Sequence, residues 1–265
     1  MIEQNKIISN LSNTDYHKHH AISSSNCKDL LISPWSYHHK KHNPIQPSPA
    51  MKFGTMFHSL VLEPQLFDKE YLVADIPKRN TKQGKLDYQE LIEKLNDRVL
   101  VNTDDFLKAQ DMRYNLEKNN FVQTLLSSGQ AEQSIFWTDE TTQTPCKARA
   151  DYINIDRGYI VDLKTTSSLA DDINFKYTTR QYNYDLSAAL YVDGFQKVLD
   201  KPLDFFIVVI EKDAPYNYSI FKFSSELLEI GRAKYNNALS VYEKANKNGV
   251  FNVPYNGGNL LELVA

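Results

Sequence analysis

Polar and apolar positions exchange every second residue between 146 and 166, where the chain reads CKARADYINIDRGYIVDLKTT. Strand side chains alternate between the two faces of a sheet, so this pattern predicts two strands. On the first, Lys147, Arg149 and Asp151 share one side and Ala148 and Ala150 the other; on the second, Asp162 and Lys164 oppose Val161 and Leu163. The Ile155-Asp156-Arg157-Gly158 segment supplies the Asp and Gly of a hairpin turn. Pairing these strands brings two carboxylates and an amine to one face.

The same reading places other elements around the hairpin. Residues 133–138 alternate, with Ile135 and Trp137 against Ser134 and Phe136, and Glu132 leads into them. LDFFIVVIE, residues 203–211, is a continuous apolar run that suits a buried central strand. Residues 216–223 alternate as its hairpin partner across Ala214-Pro215. A serine cap within residues 23–25 opens a short helix, which Ser33-Pro34 closes, and Trp35 and Tyr37 pack that end onto the body. Residues 50–62 predict a buried helix with Met51, Thr55, His58 and Leu62 on one stripe, stopped by Glu63-Pro64. Polar-faced helices follow over 87–99 and 103–118, the second capped by Thr103, and helical character runs on from 121 to 126.

A long helix over 176–195 presents Tyr177, Gln181, Tyr184, Ala188, Tyr191 and Phe195 on one face, a stripe of the kind that usually packs a core. A last helix covers 225–246, and the tail from Asn248 is loop-like. Residues 65–86 read as an extended excursion, and the Asn-rich first fifteen residues as loosely held. The order of elements predicts one α/β (α+β) domain over 1–265, a mixed central sheet flanked by helices on both faces.

Composition narrows this reading. With 265 residues, 42% of them hydrophobic, the chain can bury a substantial core. Two cysteines, Cys27 and Cys146, exclude a disulfide framework and a four-cysteine metal or cluster site. No secretion signal or spanning apolar run is evident, which predicts a cytoplasmic protein with no membrane partner. The formal charge of −3 neither advertises nor excludes nucleic-acid binding, because phosphate-binding residues can line one channel of an acidic protein. His17, His19 and His20 read as a solvated tract or, less simply, a metal site. His38 to His42, and the basic residues Lys78, Arg79, Lys82 and Lys85, read as exposed loops or as contacts to a phosphate backbone.

Asp151, Asp162 and Lys164 together suit phosphodiester hydrolysis. Magnesium is commonly held by one or two carboxylates, with water and substrate phosphate completing its shell. A bound metal polarises phosphoryl oxygen and acidifies a water. Lys164 can orient that water or balance charge on the phosphate, and the Leu163 carbonyl between the two side chains is a further potential ligand. Two plainer readings stand beside this one. An Asp-x-Lys pair on a surface is worth only about 0–1 kcal/mol, and a lone histidine such as His58 on an apolar helix is more often a satisfied core residue than a ligand.

The segments Gly54-Thr55-Met56-Phe57-His58, Cys146-Lys147-Ala148-Arg149-Ala150-Asp151 and Val161-Asp162-Leu163-Lys164-Thr165-Thr166 resemble the PD-(D/E)xK nuclease superfamily. Within it the chain resembles the RecE type, the exonuclease VIII nuclease domain of phage and prophage recombination, from about Ser23 to the Tyr191-Val192-Asp193-Gly194-Phe195 helix end. The resemblance makes His58, Asp151 and Asp162 metal-site residues and Lys164 the catalytic lysine, with Glu132 where relatives often place another acid. It makes the helix after the hairpin a Q-x-x-x-Y element with Tyr191 as its tyrosine. Ser187 stands at the glutamine position, and Gln181 or Tyr184 can substitute from the same face. Lys147, Arg149, Thr165 and Arg180 complete the candidate DNA contacts.

The implied activity is a Mg2+-dependent exonuclease, with Mn2+ able to substitute, that degrades linear double-stranded DNA from 5′ ends and leaves 3′ single strands. A homo-oligomeric ring (trimer or tetramer) and a single-strand annealing protein are the implied partners. An endonuclease, a Cas4-like end trimmer (which the two cysteines disfavour) and a non-catalytic DNA-binding protein are the competing readings.

Overall fold

A computed structural model describes residues 5–253 together with Tyr255 and Glu262. The chain runs β1 (Ile7–Ile8), α1 (Asn13–Lys18), α2 (Ser24–Ile32), α3 (Pro34–His42), α4 (Pro49–Leu62), α5 (Pro64–Glu70), β2 (Tyr71–Val73), α6 (Lys82–Glu93), β3 (Val99–Val101), α7 (Thr103–Glu117) and α8 (Asn120–Leu125). It continues with β4 (Gln130–Thr138), β5 (Pro145–Asn154), β6 (Tyr159–Thr166), α9 (Asp172–Gln181), α10 (Tyr184–Leu199), β7 (Asp204–Glu211), β8 (Tyr218–Lys222) and α11 (Ser225–Asn248). Six strands form one sheet in the order β1-β4-β5-β6-β7-β8, and β2 and β3 form a small parallel pair. Neighbours in the large sheet are antiparallel except β6 and β7, which run parallel because α9 and α10 cross between them.

Each face of the sheet buries its own core. Ile135, Trp137, Ala148, Ala150, Ile160, Ile207 and Val209 meet residues of α2, α10 and α11 on one side. Val161, Leu163, Val208 and Ile210 meet Met56, Phe57, Leu60, Met112 and Leu116 of α4 and α7 on the other. The predicted mixed sheet between helical layers is thus the observed architecture.

The hairpin turn is as predicted. Gly158 adopts φ of 73° and its N–H donates to the Asn154 carbonyl at 2.9 Å. The pairing beyond the turn is not. β5 and β6 pair only from Asn154↔Tyr159 to Tyr152↔Val161 and then part, while β6 stays with β7 as far as Thr166↔Glu211. Ile22 enters the gap: its N–H donates to the Pro145 carbonyl at 2.8 Å, and its carbonyl accepts from Lys147 N at 2.9 Å. The alternation also reverses at this point. Ala148 and Ala150 face one core, yet Tyr152, two residues on, faces the other.

Several boundaries differ from expectation for identifiable reasons. Pro34, Pro49 and Pro64 each stand at the start of a helix, where the missing N–H costs nothing, so a proline that closes one element opens the next. His38 to His42 therefore lie on α3 and not in a loop, Trp35 is exposed, and Tyr37 is buried. The expected 65–86 excursion contains α5, β2 and the start of α6. Asn102, not Thr103, occupies the N-cap of α7 and makes no side-chain cap bond. The long helix expected over 176–195 is two helices, because Asn183 takes a left-handed conformation (φ 49°) that asparagine tolerates better than most residues. The segment expected to be loosely held contributes β1 and the start of α1.

α10 and α11 approach backbone to backbone. A Cβ on Gly231 would lie 2.0 Å from the Asp185 carbonyl oxygen and 3.0 Å from Ala189 Cβ. Alanine is the better helix former by about 1 kcal/mol, but overpacking costs about 1–3 kcal/mol. Gly231→Ala is therefore expected to lower the urea midpoint. A midpoint equal to wild type would show that this helix pair separates freely.

Candidate active site

Asp151 occupies the split between β5 and β6. Its Oδ2 accepts from the Leu163 N–H at 2.9 Å, so a side chain satisfies a backbone donor where the β5–β6 ladder has ended. The same oxygen lies 3.6 Å from His58 Nδ1 and 3.6 Å from Lys164 Nζ, and Lys164 reaches Asp162 Oδ2 at 2.5 Å. Lys164 Nζ also lies 3.3 Å from the Leu163 carbonyl. Asp151, Asp162, Leu163 and Lys164 converge, and Asp151 and Arg149 both approach Glu132.

His58 arrives from α4. That helix buries Met56, Phe57, Ser59 and Leu60, not the predicted stripe, which leaves Met51, Thr55 and His58 along a cleft of about 900 Å3. Glu132 arrives from β4 with φ of 52°, a left-handed conformation costing roughly 1–2 kcal/mol in a side-chain-bearing residue. His58, Glu132 and Asp151 can each offer a ligand atom, and these atoms lie within 4.8 Å of one another. Asp162 is not in that group, and its Oδ2 meets Lys164. One imidazole and two carboxylates suit a hard divalent cation.

The electrostatics fit that donor set. Burial and then the charge of Asp151 push the Glu132 carboxyl up to about 8, against the opposing pull of Arg149. Burial alone would raise Asp151, but Lys164, His58 and the Leu163 N–H outweigh it and hold the carboxyl below its ordinary value. Asp162 is raised by burial and by Asp151, which together exceed the influence of Lys164. Burial disfavours the Lys164 ammonium, yet Asp162 and Asp151 more than reverse this and keep it protonated. Glu132 therefore holds its proton up to about pH 8 unless a further positive charge favours its ionised form. A cation there would supply that charge.

Tyr191 stands on the other flank. Its hydroxyl is 3.5 Å from Ser24 Oγ, and burial followed by the charge of Asp162 pushes its phenol up to about 12. Ser187, one turn earlier on α10, is half-buried, as is Tyr184 at the start of that helix. Arg180 and Gln181 lie exposed at the end of α9, and Thr165 borders the cleft.

Lys147 and Arg149, expected as DNA contacts, are engaged within the protein, and Arg149 also borders the cleft 3.7 Å from Glu132. Lys147 is 4% exposed, and its Nζ donates to the carbonyls of Tyr16 and His19 at 2.6 and 2.9 Å. Arg149 donates to Ser134 Oγ, Asn13 Oδ1 and the Leu11 carbonyl. Both fasten residues 11–22 across the sheet. His19 likewise packs edge-on against Phe136. Reading the sequence missed Lys28 on α2, whose Nζ lies 5.4 Å from the Tyr184 ring centroid. Its spacing of four from Ser24 would have shown a shared face, but nothing in the sequence says that this face borders β6.

Residues 23–258 match a family model described as a PDDEXK-like domain of unknown function (DUF3799). No curated protein matches the chain. The crystal structure of a Eubacterium rectale chain, provisionally named an exonuclease, is similar with a TM-score of 0.65 and 20% identity, over 91% of this chain and 88% of that one. At that identity the likeness is one of fold. A phage-related exonuclease from Haemophilus somnus 129PT aligns at a TM-score of 0.38 and 10% identity, over 89% of this chain and 100% of that one, and carries no argument of its own.

Glu132 gives a pH-dependent test. A carboxyl whose folded value, about 8, lies above its unfolded value, about 4.3, withdraws stability as pH rises between the two, and the loss is complete above the higher. Glu132→Gln is therefore expected to raise the Tm of the metal-free protein at pH 8.5 by roughly 2–6 °C and to leave it little changed at pH 4. The substitution should also diminish the Tm gain on adding Mg2+ or Mn2+. Thermal denaturation at both pH values, with and without metal, reads all of this, and equal shifts at the two pH values would refute the assignment.

Proposed function

The chain belongs to the family of PDDEXK-like domains matched over residues 23–258, and from that premise we propose that it is a metal-dependent exodeoxyribonuclease of the RecE type. The observation that carries the reading is the His58–Glu132–Asp151 donor set beside the Lys164–Asp162 pair at an open cleft. In this reading Mg2+, or Mn2+ in its place, is held by His58, Glu132 and Asp151, with Asp162 and the Leu163 carbonyl as further ligands. When bound, the ion supplies Lewis-acid polarisation of a phosphoryl oxygen and a water of lowered pKa.

The residues themselves do the positioning. Asp162 holds the Lys164 ammonium, which stays charged and can donate to a phosphoryl oxygen as negative charge develops there. The Leu163 N–H fixes one oxygen of Asp151, so that carboxylate enters the site with its orientation already set. Thr165, Arg180, Gln181, Tyr184, Ser187 and Tyr191 are the proposed DNA contacts, with serine in the place of the glutamine seen in relatives. The substrate is linear double-stranded DNA, degraded 5′ to 3′ to leave 3′ tails for strand annealing. A homo-oligomeric ring and an annealing protein belong to the same proposal, as does a cytoplasmic location. Among the described residues no helix is long and apolar enough to cross a membrane.

Digestion of end-labelled linear duplex, with and without Mg2+, tests the activity, its polarity and its metal dependence at once. Asp162→Ala and Lys164→Ala are each expected to slow metal-dependent nucleotide release by about 10²–10³-fold or more while the fold is retained. Undiminished release by both would remove the assignment. Cutting of covalently closed circles would replace the exonuclease with an endonuclease, and metal-independent binding without hydrolysis would favour a non-catalytic DNA-binding protein.

A further inference from the structure

Lys28 is a cation with no counterion of its own. Among the described residues it makes no hydrogen bond or ion pair, and its Nζ lies over the face of Tyr184. The nearby carboxylates each meet another amine, while the second oxygen of Asp185 is buried without a partner. Asp162 is held by Lys164 at 2.5 Å, Asp185 by Lys234 at 2.7 Å, and the adjacent Asp29 by Lys40.

Burial and the neighbouring charge of Lys164 push the Lys28 ammonium down to about 8, as expected for an amine crowded by a like charge and short of an anion. Such a group normally extends into water. Lys28 is instead half-buried, on the face of α2 that also carries Ser24, one turn away. Ser24 meets Tyr191, and Lys28 meets Tyr184, seven residues before Tyr191 on α10. α2 and α10 thus form one wall that carries the Ser24–Tyr191 and Lys28–Tyr184 contacts, and the Lys28 ammonium on it has no direct ion-pair partner among the described residues.

We propose that Lys28 is a phosphate-binding residue of the nuclease, holding a backbone phosphate of the DNA strand on the Tyr184–Tyr191 wall beside the one that is cleaved. This deepens the nuclease reading and rests on it. The aromatic ring beneath the ammonium fixes its direction without neutralising it. A phosphate brought there supplies a direct anionic partner that the protein does not.

The test is equilibrium binding of short labelled duplexes in Ca2+ at several salt concentrations, with Lys28→Met, which keeps much of the apolar stem, and Lys28→Arg, which keeps the charge. Lys28→Met is expected to weaken binding about 3- to 10-fold and to reduce the slope of log K against log salt by about 1, and Lys28→Arg to restore most of both. Thermal denaturation confirms folding, and Lys28→Gln repeats the comparison if the methionine variant is unfolded. Duplexes with 5′-phosphate and 5′-hydroxyl ends separate two sources of the phosphate. A loss confined to phosphorylated ends assigns a terminal monoester, and a loss on both assigns a diester within the strand. Wild-type protein that binds duplex, with a Lys28→Met variant of unchanged affinity and salt slope, overturns the role of Lys28 alone. Wild-type protein that neither binds nor degrades duplex overturns the nuclease reading and this site with it.

Discussion

A buried backbone N–H must find an acceptor, and where β5 leaves β6 the N–H of Leu163 finds the carboxylate of Asp151. That one bond lets the sheet open without an orphaned donor. It also sets the demands that the neighbourhood meets. The acceptor is a charge in the interior, so a cation must stand close: Lys164 lies 3.6 Å from the accepting oxygen, and the His58 imidazole is at the same distance. Removing one partner from such a buried pair costs more than the pair itself contributes. On this account the lysine proposed for the chemistry also contributes to the stability of the fold.

Opening the sheet changes what each layer can reach. In an intact sheet the two helical layers are sealed from one another. Here α4 brings His58 from one layer, while Tyr191 from the other layer bears electrostatically on the same acids. The reversal of alternation at Asp151 serves the same end, because β5 contributes Ala148 and Ala150 to one core and Tyr152 to the other. Lys147 and Arg149, which have the look of exposed cations in the sequence, fasten the segment that leads into Ile22 and α2. Their hydrogen bonds hold that segment in place, and Arg149 also borders the cleft beside Glu132.

What could be read from the sequence follows from what repeats locally. β4 to β8 show in the alternation and in the apolar run at 203–211, and those positions are indeed strands because a strand buried on one face or both leaves that signature. The carboxylate–lysine pair could be read for the same reason, since Asp162 and Lys164 keep strict period two along β6. The features that escaped depend on departures from periodicity. Nothing local announces that β5 parts from β6, that Asn183 breaks the long helix, or that α4 turns Phe57 inward and His58 toward the cleft. The Met51–Leu62 stripe had the right spacing and the wrong meaning, because a stripe along a cleft and one along a core share a period. Lys28 escaped for a further reason: its significance lies in the nearby carboxylates each meeting another amine, a property of pairings and not of spacing.

The two flanks of the opened sheet are chemically unlike. On the α4 side Glu63, Glu70 and Glu132 border the cleft, and burial with mutual repulsion raises both Glu63 and Glu132. On the α2 and α10 side stand Lys28 and the hydroxyls of Ser24 and Tyr191, with Lys164 between the two flanks. A phosphodiester bound across such a divide meets carboxylates suited to a cation on one side and amines on the other. In a site of lowered dielectric these fixed charges do not have to reorganise as negative charge develops on the phosphate. The separation is compatible with a formal charge of −3 on a chain read as a DNA enzyme, because acids suited to a metal enter the total with the same weight as cations suited to phosphate. Net charge is therefore the wrong quantity to ask of this fold. The asymmetry across Asp151 is the right one, and it exists because one aspartate closes the split by accepting from Leu163.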